Sequence, residues 1–247
     1  HGGEIFTILK PFFEQNSSLR CLVVRFSFGG TINKQNSVRL LSESLSNFNT
    51  LREFDFNGGR FRDDNVEALI RALADHSQLI KIGLSGNQVG RRGLDALAAL
   101  LTNPNSSLVD LNLAYCSLDD ERALALAGAM ATNSTLRKLN LADNRGISTA
   151  GWKDIFAQMQ SPQSLVEDLL LSTNSIDDTA GTMLANVLAT STSLKVLDLS
   201  SSRNITNEGW RATFDALQNP RCMLQKLYLH DNLNDENVTY LANSLAN

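Results

Sequence analysis

The stretch LRKLNLADN (136–144) places leucines at its first, fourth and sixth positions and an asparagine at its ninth. Nearly the same spelling stands at LIKIGLSGN (79–87), and LVDLNLAYC (108–116) repeats it with cysteine in the ninth place. With the first apolar residue as marker, units start at Leu19, Leu51, Leu79, Leu108, Leu136, Val166, Leu194 and Leu224. The intervals are 32, 28, 29, 28, 30, 28 and 30 residues, so a longer unit and a 28-residue unit take turns. Self-similarity at such a period marks a stacked-repeat architecture rather than a catalytic motif.

Alternation within x-L-x-L-x puts Leu139 and Leu141 on one face of a short strand and Lys138 and Asn140 on the other. Past the ninth place each unit continues at helical spacing, as Leu94, Leu97 and Leu101 do in GLDALAALL (93–101). One strand and one helix cannot bury their apolar faces alone, so the units must stack and share a core. Parallel strands lie about 4.8 Å apart whereas helices need roughly 8–10 Å, so the stack is expected to curve. The expectation is an α/β solenoid, a right-handed horseshoe arc of about eight repeats with strands on the concave face and helices on the convex face, forming a single domain over 1–247.

Asn87, Asn144, Asn174 and Asn232 are expected to satisfy buried backbone groups where the chain leaves each strand. Cys116 substitutes there as a small weak donor, buried and reduced; Ser27 and Ser202 are weaker substitutes and Gly59 cannot serve. At the start of alternate helices stand Gly93-Leu94, Gly151-Trp152 and Gly209-Trp210, which makes both tryptophans core residues. The segments NPNSS (103–107), SPQS (161–164) and NPRC (219–222) read as prolyl stops before the next strand.

Composition narrows the function. The balance of 22 Lys plus Arg against 26 Asp plus Glu, with no basic tract, argues against a nucleic-acid partner. The apolar run ALALAGAMA (123–131) is about half of what a membrane span needs. Cys21, Cys116 and Cys222 form no CxxC pair and read as reduced thiols of a cytoplasmic protein. The N-x-[ST] sequons at Asn16, Asn105, Asn133, Asn204 and Asn237 read as chance in a chain rich in Asn, Ser and Thr. His1, His76 and His230 have no metal-ligand spacing, and Gly29-Gly30 and Gly58-Gly59 lack the lysine of a phosphate loop. No enzyme activity, cofactor, metal or small-molecule substrate is expected.

The L-x-x-L-x-L-x-x-[NC] spelling and its alternating period resemble the ribonuclease-inhibitor-like class of leucine-rich repeats over nearly the whole chain. Similar members include ribonuclease inhibitor, the repeat domains of cytoplasmic immune receptors, Ran GTPase-activating protein and the tropomodulins. The resemblance implies a recognition or scaffold module that binds a protein partner on its concave face or rim. Two alternatives are a GTPase-activating regulator resembling Ran GTPase-activating protein and an architectural segment of a larger assembly.

The strand register lists what faces outward. Third places run Cys21, Glu53, Lys81, Asp110, Lys138, Asp168, Val196 and Lys226, alternating in sign from Glu53 to Asp168 as a cross-strand ladder would. Tyr115, Leu170, Tyr228 and His230 stand out as candidate anchors, with Lys226 beside Tyr228 and His230. Asp143, Asp168, Asp198 and Asp231 add a negative bias that suits a basic partner. GGEIFTILKPFF (2–13) reads as the helix of an incomplete preceding unit and NVTYLANSLAN (237–247) as a unit stopping after its helix. A solenoid with such uncapped ends is expected to be part of a longer chain or to self-associate.

Overall fold

From the second leucine spacing onward, each becomes one strand, one tight turn and one helix. The computed structural model describes residues 18–26, 34–46 and 50–246. The chain divides into two compact units, His1–Cys116 and Ser117–Asn247. In the first, β1 (Cys21–Arg25), β2 (Glu53–Asn57), β3 (Lys81–Gly83) and β4 (Asp110–Asn112) alternate with α1 (Lys34–Ser46), α2 (Asp63–Ala72) and α3 (Arg91–Thr102). The second contains α4 (Asp120–Met130), β5 (Lys138–Asn140), α5 (Thr149–Met159), β6 (Asp168–Leu170), α6 (Asp178–Thr190), β7 (Val196–Asp198), α7 (Asn207–Leu217), β8 (Lys226–Tyr228) and α8 (Asp235–Ala246). The sequence-based helix at 237–247 is thus α8; the expected N-terminal helix at 2–13 and Ser27 lie outside the described residues.

Within each unit the strands pair in parallel and in sequence order. Cys21 aligns with Glu53, Glu53 with Lys81 and Lys81 with Asp110; Lys138 aligns with Asp168, Asp168 with Val196 and Val196 with Lys226. The register is the one the leucines dictate, because slipping by one residue would turn every leucine to the solvent. Leu111, Leu113, Leu139, Leu141, Leu169, Leu171, Leu197 and Leu199 are wholly buried. Trp152, Ile155, Phe156 and Met159 form the buried stripe of α5 at helical spacing. Trp152 stacks on Phe156 at 5.7 Å between ring centroids, and Trp210 on Phe214 at 5.6 Å, so the same core filling recurs two repeats later.

The ninth-place asparagines do what their amides allow. Asn174 donates through Nδ2 to the carbonyls of Leu141 and Leu171, both at 2.9 Å, and accepts through Oδ1 from the Asn144 amide at 2.8 Å. One side chain therefore joins two consecutive repeats. Asn87 does the same with Phe56 and Leu84 carbonyls and the Phe61 amide, and Asn232 with Leu199 and Ser202. Asn144 holds the Leu141 carbonyl and the Leu118 amide. Cys116 occupies the same place, its Sγ 3.3 Å from the Leu84 carbonyl and 3.4 Å from that of Ala114. Burial pushes this thiol up to about 12.

A second joint links helices and is not apparent from the leucine pattern. Asp63, in the first turn of α2, accepts the amides of Arg92 and Gly93 at 3.0 and 2.7 Å, capping α3 from the neighbouring repeat. That helix starts after Gly90, which has no side chain to cap with. Asp120 likewise takes the amide and hydroxyl of Ser148 at 2.7 and 2.6 Å and the Gly151 amide at 3.2 Å; Asp178 takes the amide and hydroxyl of Thr206. The Ser148 hydroxyl is the main reason that the Asp120 carboxyl lies below the usual carboxylate range. These carboxylates explain the recurrent glycines. A Cβ on Gly93, Gly151 or Gly209 would stand 2.9, 2.6 or 2.4 Å from Oδ1 of Asp63, Asp120 or Asp178.

Two outcomes are expected. Alanine exceeds glycine by about 1 kcal/mol in an open helix interior. Gly128→Ala, with nothing within 4 Å of the new methyl, should therefore raise the melting temperature, whereas Gly151→Ala should lower it by displacing Asp120. In native thiol titration Cys21, which is exposed, should react at once and Cys116 only after unfolding, because a thiol at about 12 offers almost no thiolate; rapid labelling of Cys116 would contradict its place in the ladder.

Candidate functional site

The open face of the second unit's sheet is built from the third, fifth and seventh places of its repeats. Register aligns Asn140 with Leu170, Leu170 with Asp198 and Asp198 with Tyr228. Leu170 and Tyr228 therefore share one row, two strands apart, with Asp198 between them. Tyr228 is 41% exposed, Leu170 half-buried, and Lys226, His230 and Asp231 exposed. The rings of Tyr228 and His230 stack at 6.4 Å with an interplanar angle of 26°. Both side chains emerge on the same face because they stand two residues apart at the end of an extended segment. The His230 amide donates to Ser200 Oγ at 3.3 Å, fixing the backbone below the ring.

The four acidic residues have different surroundings. Asp168 faces Lys138 at 3.8 Å, the pairing the alternation of sign anticipates. Asp143 pairs with Arg145 at 3.2 Å, and Asp198 accepts the Ser200 amide at 2.9 Å. That last bond closes a short side-chain turn, as Asn112 and Asn140 do with Ala114 and Ala142. Asp231 forms no ion pair among the described residues.

In the first unit the sign ladder departs from expectation. Lys81 reaches past its opposite neighbour Glu53 to Asp55, at 2.9 Å. The cause is Gly83, which aligns with Asp55: a Cβ there would stand 1.9 Å from Asp55 Oδ1. Asp55 lies over the bare glycine, almost buried, and its hydrogen bond raises the Lys81 ammonium above its ordinary value. Val23 is the exposed apolar residue of β1, at 45%.

The sequence register stops short of a further row at the eighth place, where every described unit from the second onward turns through positive φ. Gly58 and Gly86 stand there at 79° and 75°, followed by Tyr115 at 57°, Asp143 at 50°, Thr173 at 62°, Ser201 at 57° and Asp231 at 61°. Tyr115 is 58% exposed, so this candidate anchor sits on the turn beyond the strand end rather than on the strand. Left-handed backbone suits glycine and costs a bulky or β-branched residue. The signal for this row was the glycine in two of the repeats, too sparse to define a rule.

Among the described residues no group of three or more His, Cys, Asp or Glu side chains is arranged to hold a metal ion, and no helix is long and apolar enough to cross a membrane.

The chain matches the family model described as Leucine Rich repeat at residues 105–127, 132–155 and 190–212. It is 31% identical over 163 residues to NACHT, LRR and PYD domains-containing protein 14 of Mus musculus, covering 66% of this chain and 16% of that protein. Ribonuclease inhibitor of Mus musculus is 30% identical over 160 residues, covering 65% of this chain and 35% of the inhibitor. Ribonuclease inhibitor of Sus scrofa is 28% identical over 193 residues, covering 78% and 42%. The chain thus spans less than half the length of these relatives. A chain in the crystal structure of the Rad7 and Elc1 complex in yeast aligns with 97% of this one and 70% of its own length at 18% identity and a TM-score of 0.44. Repeat spelling, strand–turn–helix units and these likenesses together identify the repeats as leucine-rich repeats similar to those of ribonuclease inhibitor.

Proposed function

We propose that the chain is a non-enzymatic, cytoplasmic protein-recognition module that docks a protein partner on the open face of its sheet. Leucine-rich-repeat proteins commonly mediate protein–protein interaction, and the observation that supports the finer reading is the exposed Tyr228–His230 ring pair, with Tyr228 in one row with the half-buried Leu170. An aromatic anchor ringed by polar groups is the usual form of a small hot spot. Lys226, Asp198 and Asp231 supply such a ring, and Tyr115 and Asp143 extend the candidate surface to the turns. The acidic residues Asp143, Asp168, Asp198 and Asp231 favour a partner with a basic surface.

The core makes no demand on these side chains, which separates binding from folding. In Tyr228→Ala combined with Leu170→Ala, a partner captured from native lysate should bind about 30-fold more weakly, the equivalent of ~2 kcal/mol. The melting temperature should move by no more than a few degrees. Unchanged affinity would remove the open face as the docking site.

A further inference from the structure

Beyond the C-terminal ends of β5, β6 and β7 lies a cavity of about 280 Å³. It is lined by Arg145, Thr173, Ser175, Ser201, Arg203 and Asn204, together with the ladder residue Asn174, and no carboxylate is among the lining residues. Arg145, Ser175 and Arg203 each follow the ninth place of their repeat, so consecutive strands deliver arginine, serine and arginine to one rim. The Ser175 hydroxyl donates to the Arg145 carbonyl at 3.1 Å, which ties the middle of that row to its first member.

Three features point to an anionic guest. Arg203 is exposed and has no ion pair among the described residues. Arg145 is held at the rim by a fork to Asp143, with Nε 3.2 Å from Oδ1 and Nη2 3.4 Å from Oδ2, while its own side chain stays 65% exposed and keeps further N–H donors for an anion. The side chains of Thr173, Ser201 and Asn204 form no hydrogen bond among the described residues, leaving two hydroxyls and an amide as donors.

The turn row supplies two of the lining hydroxyls. Thr173 and Ser201 hold φ of 62° and 57° at the place where Gly58 and Gly86 stand in the first unit. A β-branched residue in the left-handed region costs on the order of 1–3 kcal/mol, which glycine would relieve. Both residues line the same cavity.

We propose that this cavity is a docking pocket for a phosphorylated side chain of a protein partner. A phosphoryl group carries about −1.5 to −2 charges and three acceptor oxygens, enough to engage both guanidinium forks and the hydroxyls at once. A single carboxylate would leave part of that donor set unmatched. A polyanion such as nucleic acid would bring further phosphates against Asp143, Asp168, Asp198 and Asp231, which repel them. Those same carboxylates suit basic residues flanking one phosphoryl group. The proposal rests on the protein-recognition reading and specifies one chemical group of the partner.

The test uses the 247-residue chain and fluorescent peptide pools of degenerate sequence with basic flanks, carrying phosphoserine, serine or glutamate at the centre. At about 0.15 M salt, the phosphoserine pool should bind about tenfold or more tightly than either other pool. Arg203→Gln and Arg145→Gln should each remove most of that preference while leaving the melting temperature unchanged. Thr173→Gly should melt higher than the parent yet bind the phosphoserine pool more weakly, a combination that a purely structural role would not produce. Equal binding of the three pools would overturn the proposal, as would a phosphoserine preference that survives the double arginine variant, or capture of phosphoinositide vesicles without any phosphopeptide binding. None of these substitutions touches Tyr228 or Leu170, so failure here leaves the test of the open face standing.

Discussion

At the end of each strand from β2 onward the chain must turn through left-handed backbone while its carbonyls are still inside the core, and everything else depends on how those carbonyls are satisfied. An unpaired buried carbonyl or amide costs about 1–3 kcal/mol. The asparagine amide supplies two donors and an acceptor from one short side chain, and its bonds reach the carbonyls of its own and the preceding repeat. Stacking is thereby written into the turn, which is why the same letter returns at the ninth place. Cys116 fills the same place, its small, wholly buried thiol contacting the Leu84 and Ala114 carbonyls.

The carboxylate clamps add a second period on top of the first. Asp63, Asp120 and Asp178 recur at 57- and 58-residue spacing, and each caps the next helix in a space kept open by glycine. The alternation of long and short repeats thus has a mechanical content: one helix offers a carboxylate and its successor offers bare amides and a large apolar residue behind them. Trp152 and Trp210 fill the volume behind two of those glycines. Neither joint uses the open face of the sheet, so the residues there are free of both structural roles.

What could be read in the sequence followed from spacing alone. Strand register, the asparagine ladder, the buried Cys116 and both core tryptophans all depend on contacts whose positions the period dictates. The diagonal Lys81–Asp55 pair was not legible, because it depends on the missing side chain of Gly83 one strand away. The Asp63, Asp120 and Asp178 clamps were not recognised for a related reason: an acidic residue in a first helical turn looks like ordinary dipole compensation until its partner helix is placed beside it. Of the proposed recognition surface, the row of Leu170, Asp198 and Tyr228 could be listed from register, whereas the pocket between Arg145 and Arg203 required the turns to be folded.

The central claim is that side-chain amides at the strand ends hold consecutive repeats together. Asn174 tests it best, because its amide bridges Leu141 and Leu171 and receives the Asn144 amide. Urea unfolding of Asn174→Ala should show a loss of about 2–4 kcal/mol, as buried backbone groups lose their partners. A loss below about 0.5 kcal/mol, the range of an ordinary surface substitution, would contradict the account.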